Sequence, residues 1–245
     1  MTLPKIASMD EWAAARQELR LKEKAATRAR DALNTERRNL PMVEITTPYE
    51  LEGPTGTASL LDLFEGRRQL LLYHFMFDPS WDEGCPSCTA GTDEVSAGLL
   101  DHLHTRDTTY AMVSRAPLAK LEAYKAKRGW DLIPWYSSFG SDFNYDFHAT
   151  LDPSVSPVEF NGMDQSEMER RGFTFEGSSE QPVRSCFLRV DDRVFLTYQV
   201  MARGLESTGG SYYFLDLTAL GRQEEWEEPK GRADLERAAR PDFAT

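Results

Sequence analysis

Apolar positions along the chain follow two rhythms. Ser8 and Glu11 have the spacing of a capping box. Trp12, Ala15, Leu19, Ala26, Ala29 and Leu33 then recur at steps of three or four, or sums of these, with Arg, Lys and Glu between them. The pattern predicts one amphipathic helix, about Met9 to Arg38, stopped by Pro41. Its stripe is narrow and partly alanine, so it has to pack on the domain or on another chain. From Met42 the rhythm changes. The runs Met42–Thr46, Leu70–Phe77 and Thr108–Ser114 read as strands, and Gly53, Pro54 and Gly56 mark a hairpin turn between Tyr49 and Leu60. Leu60–Phe64 reads as a short turn or helix closed by Gly66. A helix starting near Pro86 is expected to run to about Leu103, with Val95, Leu99 and Leu103 on one face. Pro117 opens another, which runs to about Arg128 and ends at Gly129. Ser185–Val190 and Arg193–Val200 flank Asp191-Asp192 as an antiparallel hairpin, and Gly209–Leu220 reads as the last helix. Strand–helix–strand–helix is the order of a parallel α/β sheet.

Two stretches keep neither rhythm. Trp135–Phe147 is dense in aromatic and turn residues, and places Phe139 and Tyr145 as candidates for a pocket wall. Leu151–Gln181 reads as a partly irregular insertion that covers part of the domain. The expected organisation is a helical extension over 1–41, a domain over 42–222 with the insertion at about 149–182, and a charged tail over 223–245.

Composition narrows the function classes. The chain has 245 residues and a net charge of −12, which argues against nucleic acid or an anionic membrane as the main partner. The basic cluster Arg28, Arg30, Arg37 and Arg38 is interleaved with Glu23, Asp31 and Glu36, the pattern of a solvated face. No apolar run approaches membrane-spanning length, and the opening MTLPKIASMDEW lacks the basic and apolar regions of a signal peptide. Three cysteines in a chain of this length do not make a disulfide scaffold, so a reducing cytoplasm is expected.

The candidate chemistry lies at Cys85-Pro86-Ser87-Cys88, where the apolar run Leu70–Phe77 gives way to a helical segment. A cysteine at the start of a helix faces unsatisfied backbone N–H groups and the positive end of the dipole, which favours its thiolate. Cys85 is therefore expected to be the exposed nucleophile. Cys88, one turn later, is the natural resolving thiol. Pro86 suits the first helical position, while Asp78, Asp82 and Glu83 oppose thiolate formation. Trp81, Pro86 and Ser87 border the pair and are candidate substrate contacts. A zinc site would need His74, His102, His104 or Cys186 to complete it, and no cofactor or metal is expected. His74, in the strand before the loop, either tunes the thiols or is packed.

The segments EKAATRARDALNTERRNLPMV, LFEGRRQLLLYHFMFDPSWDEGCPSC, VSRAPLAKLEAYKAKRGW, SSFGSDFNYDF and ARGL extend over almost the whole chain. Together they resemble the thioredoxin-like bacterial family known as domain of unknown function 899, described as predicted dithiol–disulfide oxidoreductases. The resemblance implies a thioredoxin-like central mixed sheet flanked by helices. A more distant similarity is to peroxiredoxins, through GTASLLDLFEGRRQLLLYHF, the strand ending Val113-Ser114, and Val183-Arg184-Ser185-Cys186-Phe187-Leu188 before Asp191 and Asp192. It implies that Arg184 stands near Cys85. The threonine that peroxiredoxins carry three residues before the reactive cysteine is absent: Asp82 precedes Cys85 at that spacing, and Cys85 precedes Cys88. Pro182 is displaced from the place of the thioredoxin proline. Cys186 is either a core cysteine or a third thiol beside the pair.

Three functions fit these residues. The first is a thiol–disulfide oxidoreductase acting on a protein or small-molecule disulfide or thiol. The second is a thiol peroxidase in which Arg184 polarises the peroxide. The third is a non-catalytic thioredoxin-like binding or redox-sensing module. A homodimer through the N-terminal helix would satisfy that helix's stripe.

Overall fold

The computed structural model describes residues 3–175, 177–208 and 210–232. They form two compact units, the described residues up to Pro41 with those from Tyr212, and Met42–Ser211. The residues from 233 onward, which include most of the expected tail, lie outside the described residues.

In the first unit, helix α1 spans Met9–Arg38, as its pattern predicts. Its capping box is complete. Ser8 Oγ accepts from Glu11 N–H at 3.3 Å, and Ser8 N–H donates to the Glu11 carboxylate at 2.8 Å. Asp10 and Glu11 in the first turn and Arg37 and Arg38 in the last complement the helix dipole. No residue of α1 is buried, and Trp12, Leu19 and Leu33 of its stripe are exposed.

The second unit is built on an eight-stranded sheet. In chain order its strands are β1 (Val43–Ile45), β2 (Glu50–Gly53), β3 (Gly56–Ser59), β4 (Gln69–His74), β5 (Thr108–Ser114) and β6 (Trp135–Ser137). After these come the short strands β7 (Thr150–Leu151), β8 (Glu159–Phe160), β9 (Met163–Asp164) and β10 (Ser179–Glu180), and then β11 (Val183–Val190) and β12 (Arg193–Met201). The spatial order of the main sheet is β1-β12-β11-β4-β5-β6-β2-β3. β4 runs parallel to β5, β5 parallel to β6, and β11 antiparallel to both β4 and β12. With helices between the parallel strands, this is the mixed sheet that the thioredoxin-like resemblance implies.

Both faces of β4 and β5 are covered, which explains the unbroken apolar run Leu70–Phe77. On one face Leu70, Leu72, Ala111, Val113 and Phe187 pack with Tyr49, Leu63, Phe64, Phe143 and Phe147. On the other, Tyr73, Phe75, Tyr110 and Met112 pack with Cys85, Cys88, Leu100, Leu121, Tyr124, Trp130 and Trp135. His74 points to the first face. Its ring nitrogens meet Asn144 Oδ1 at 3.3 Å and Ser185 Oγ at 3.0 Å, and it stacks on Phe143. Burial lowers its pKa to about 4, so it is a neutral, packed histidine on the side away from the cysteines.

Two helical expectations are corrected. The helix begun at Pro86 is two helices, α2 (Pro86–Asp93) and α3 (Ala97–His104). Ser96 caps α3, its side chain accepting from Leu99 N–H at 3.2 Å, so the helix restarts with a new phase. The restart turns Leu100 inward at 5 % exposure and leaves Leu99 at 42 %, while Val95 and Leu103 still pack on the cysteine-side cluster. The expected helix over Gly209–Leu220 is also shorter. Ala202–Thr208 is a 3-10 turn and the α-helix covers only Ser211–Leu215.

Helix α4 (Leu118–Arg128) ends at Gly129, whose φ of 71° is the left-handed value that glycine supplies freely. It is followed by α5 (Phe143–Asp146) and, between β9 and β10, α6 (Gln165–Arg170). The segment from β7 to β10 has a small core of its own, made by Leu151, Val158, Phe160 and Met168.

Candidate active site

The segment after β4 sets the geometry. Phe75 N–H donates to Val113 O at 2.9 Å, which carries the pairing past the strand end. The chain then loops out and returns, with Cys85 N–H donating to Met76 O at 3.0 Å. Gly84 permits the close return, because a Cβ there would lie 2.5 Å from the Phe75 ring. From α4, Lys120 donates to Pro79 O and Trp81 O, both at 2.8 Å, and pins the outer part of the loop.

Cys85 is the N-cap residue of α2 and Pro86 opens the first turn, as the sequence predicts. Cys88 follows one turn on. The expectation of an exposed nucleophile is corrected: Cys85 is 9 % exposed and Cys88 2 %. The cause is the returning loop, which seats both sulfurs in the aromatic cluster around Phe75, Phe77 and Tyr124. Thr89 and Thr92 return their hydroxyls to the carbonyls of Cys85 and Cys88, each at 2.9 Å. All three cysteines stand as thiols.

Burial pushes the Cys88 thiol well above its ordinary value, and the hydrogen bond with Cys85 adds to this. A side-chain hydrogen bond with Tyr73 and a backbone one at Met76 act in the opposite direction. Two of the three acids expected to oppose the thiolates have cations of their own. Glu83 pairs with Lys127, and Asp78 pairs with Arg115 at 2.5 Å.

Arg184 lies within β11, in register with Tyr73, and is 7 % exposed. Its guanidinium sits 4.7 Å from the centre of the Tyr73 ring. Among the described residues no carboxylate pairs with it, and its Nε has no hydrogen-bond partner. The structure brings Arg184 to Tyr73 and Tyr110, the two tyrosines that border Cys88. Cys186 lies two residues along the same strand. Burial raises its thiol to about 11, with Arg184 opposing, so it stays protonated at neutral pH.

The pocket candidates divide. Trp81 packs half-buried on the cysteine cluster, while Pro86 is exposed and Ser87 half-buried on α2. Phe139, just past β6, is 60 % exposed. Tyr145 turns to a different group, one not anticipated from the sequence. Arg115, just past β5, hydrogen-bonds the Tyr145 hydroxyl, the Asp78 carboxylate and Ser178 Oγ at 3.2 Å, and its Nε forms an ion pair with the Glu180 carboxylate at 2.8 Å. Arg115 thus ties the loop before Cys85 to the far end of the β7–β10 segment. The only local signal for it was a lone arginine between a strand and the proline that opens α4.

A family model described as a bacterial protein of unknown function (DUF899) matches residues 1–238. The chain belongs to the DUF899 family. Among curated proteins none matches it. Among solved structures it is similar to peroxiredoxin Q of Xanthomonas campestris, at 13 % identity and a TM-score of 0.46 over 68 % of this chain and 90 % of that one. Reduced Prx3 of Vibrio vulnificus in complex with hydrogen peroxide matches at 12 % identity and a TM-score of 0.42, over 66 % and 88 %. PrxQ of Xylella fastidiosa matches at 13 % and 0.40, over 65 % and 84 %.

In this DUF899 chain the Arg115 group makes stability depend on pH. Glu180 is 3 % exposed, and burial raises its pKa from 4.5 to about 7 although Arg115 and a hydrogen bond from Thr150 oppose the shift. The folded-state pKa lies above the unfolded one, so the folded chain holds the extra proton. This contribution is fully present below 4.5 and is lost as pH rises through about 7. Its full size is on the order of 3 kcal/mol. Glu180→Gln keeps the shape and removes the titration. Denaturation midpoints compared between about pH 5 and about pH 8 are expected to fall less in the variant than in the wild type. Equal slopes in the two proteins would contradict the assignment.

Proposed function

We propose that this protein is a dithiol–disulfide oxidoreductase whose redox couple is Cys85 and Cys88. The observation that carries the reading is the placement of Cys85 as N-cap of α2 with Cys88 one turn on in the same packed cluster. The thiolate of Cys85 attacks one sulfur of a substrate disulfide and expels the other as a thiolate. Cys88 then attacks the Cys85 sulfur of the mixed disulfide, closes the Cys85–Cys88 bond and releases the second substrate thiolate. Two electrons pass from the protein dithiol to the substrate. The shallow exposure of Cys85, beside exposed Pro86, supports a slender substrate, either a small disulfide or one on an extended peptide.

The buried guanidinium of Arg184, which has no carboxylate partner among the described residues, supports a second reading as a thiol peroxidase. Here Cys85 takes the distal oxygen of a hydroperoxide, releases the alcohol or water, and becomes a sulfenic acid. Cys88 then condenses with it and releases water. Cys88→Ser separates the two readings. The variant is expected to accumulate a mixed disulfide on Cys85 when given a disulfide, and to consume peroxide no faster than an ordinary thiol. Peroxide consumption orders of magnitude faster, with no mixed disulfide, would favour the peroxidase.

A further inference from the structure

The loop between β4 and Cys85 is tied at two places that lead to different parts of the fold. Lys120 of α4 holds its outer part, at Pro79 O and Trp81 O. Its start is held at Asp78. The backbone brings Arg115 there, because Ala116 N–H donates to Phe77 O at 2.9 Å. One carboxylate oxygen of Asp78 shapes the loop, accepting from Ser80 N–H at 2.8 Å and from Ser80 Oγ at 2.6 Å. The other takes the Arg115 guanidinium at 2.5 Å. The two side chains are only 13 % and 12 % exposed, so water and salt screen this pair less than a surface one. Arg115 is held in turn by the β7–β10 segment and α5. Its Nε pairs with Glu180 at 2.8 Å, Ser178 Oγ lies at 3.2 Å, and the guanidinium sits 5.1 Å from the centre of the Tyr145 ring. Glu180 also accepts from Thr150 Oγ1 at 3.0 Å. One cation is thus shared between a carboxylate of the loop and a carboxylate of β10.

We propose that Arg115 is a positioning residue that holds the Asp78–Gly84 loop over Cys85 and so sets the size of the disulfide that reaches its sulfur. This role rests on the dithiol reading above and deepens its first step. Thiol–disulfide exchange depends on access to the attacking sulfur, and Cys85 is 9 % exposed. Trp81, which packs on the cysteine cluster, belongs to the same loop, so release at Asp78 also frees that ring to leave the cluster. The tie is built to open without stranding a charge. When the loop lifts, Asp78 gains water while Arg115 keeps Glu180 as its partner, so no buried ion is left unpaired. Lys120, on a flexible four-carbon stem, follows the loop outward. A slender disulfide reacts with the loop in place, whereas a bulky one has to wait for it to lift.

Alkylation of Cys85 in the reduced, folded protein tests this without turnover. Iodoacetamide serves as the small probe and fluorescein maleimide as the bulky one, with Cys85 read by peptide mass. Asp78→Asn keeps the shape of the loop and the Arg115–Glu180 pair, and removes the charge that ties the loop. It is expected to raise the bulky-to-small rate ratio at Cys85 about tenfold, the weakening of one hydrogen bond between charged groups. Arg115→Met should raise it further. Leu51→Ala, a core truncation on the opposite face of the sheet, lowers overall stability without touching the loop and should leave the ratio unchanged. An unchanged ratio in both loop variants would overturn the proposal, and so would an equal rise in Leu51→Ala. The same preference should appear in turnover, with kcat/KM for a bulky disulfide rising about tenfold in Asp78→Asn relative to that for a slender one. If no disulfide is turned over by any variant while the alkylation ratio rises, the dithiol reading fails and the hold of Arg115 on the loop stands.

Discussion

Cys85→Ser is expected to reduce dithiol-dependent disulfide turnover to the uncatalysed background. A serine hydroxyl at the same N-cap is not appreciably ionised near neutral pH, so the dipole and N–H groups at the start of α2 have no thiolate to stabilise. The two remaining cysteines do not substitute. Cys88 is 2 % exposed and its thiol is pushed well above the ordinary value by burial. Burial raises the Cys186 thiol to about 11, and Cys186 lies within β11, outside the helix that carries the pair. Steady-state turnover of a small disulfide, with the protein recycled by an excess dithiol, checks this directly. Wild-type turnover in Cys85→Ser would remove Cys85 from the mechanism. The fold should be unaffected, because no side-chain hydrogen bond from Cys85 caps α2 and Ser is itself a favoured N-cap residue.

Trp135→Ala is expected to cost about 3–5 kcal/mol, at the upper end of what a single core truncation does. Trp135 is fully buried at the centre of the cysteine-side cluster. Its ring meets Phe75 at 4.9 Å, Trp130 at 5.9 Å, and Phe77 and Tyr124 at 6.4 Å. Its Nε1–H donates to Ser114 Oγ at 3.0 Å, and Ser114 Oγ donates to Phe75 O at 2.6 Å. Truncation leaves a large void and removes one donor from this chain of hydrogen bonds. For a unit of this size the melting temperature should fall by about 6–20 °C. Because the Phe75 ring is what Gly84 packs against, the loop that covers Cys85 should loosen as well. Faster alkylation of Cys85 at temperatures where the variant is still folded would follow. Thermal unfolding within a degree or two of the wild type would show that the cluster carries little of the stability.

The parts of the fold that were legible in the sequence rest on local rules. The capping box at Ser8 and Glu11, the hairpin turn after Gly53, Pro86 at a first helical turn and Gly129 as a helix stop each involve neighbours in the chain. The run Leu70–Phe77 announced a strand covered on both faces, and the thiol pair stood where that strand hands over to a helix. The break between α2 and α3 also had a local signal, Ser96 before Ala97, but the apolar spacing of Val95, Leu99 and Leu103 concealed it. What could not be read locally was burial. Cys85 is covered because Gly84 lets the chain approach Phe75 and because Lys120, on a different helix, holds Pro79 and Trp81. The Arg115 group was hidden for the same reason, since its partners Asp78, Tyr145 and Glu180 come from three separate segments. Arg184 came from the peroxiredoxin resemblance, and the register of β11 against β4 sets it on Tyr73.

Whether Cys85 and Cys88 form one redox couple is decided by their reduction potential. The wild type would be equilibrated with dithiol–disulfide buffers of graded potential, and the thiols mapped by differential alkylation. A single two-electron transition is expected, in which Cys85 and Cys88 are oxidised together into one disulfide while Cys186 remains a thiol. Failure of that disulfide to form under oxidising buffers, with the protein still folded, would contradict the dithiol mechanism.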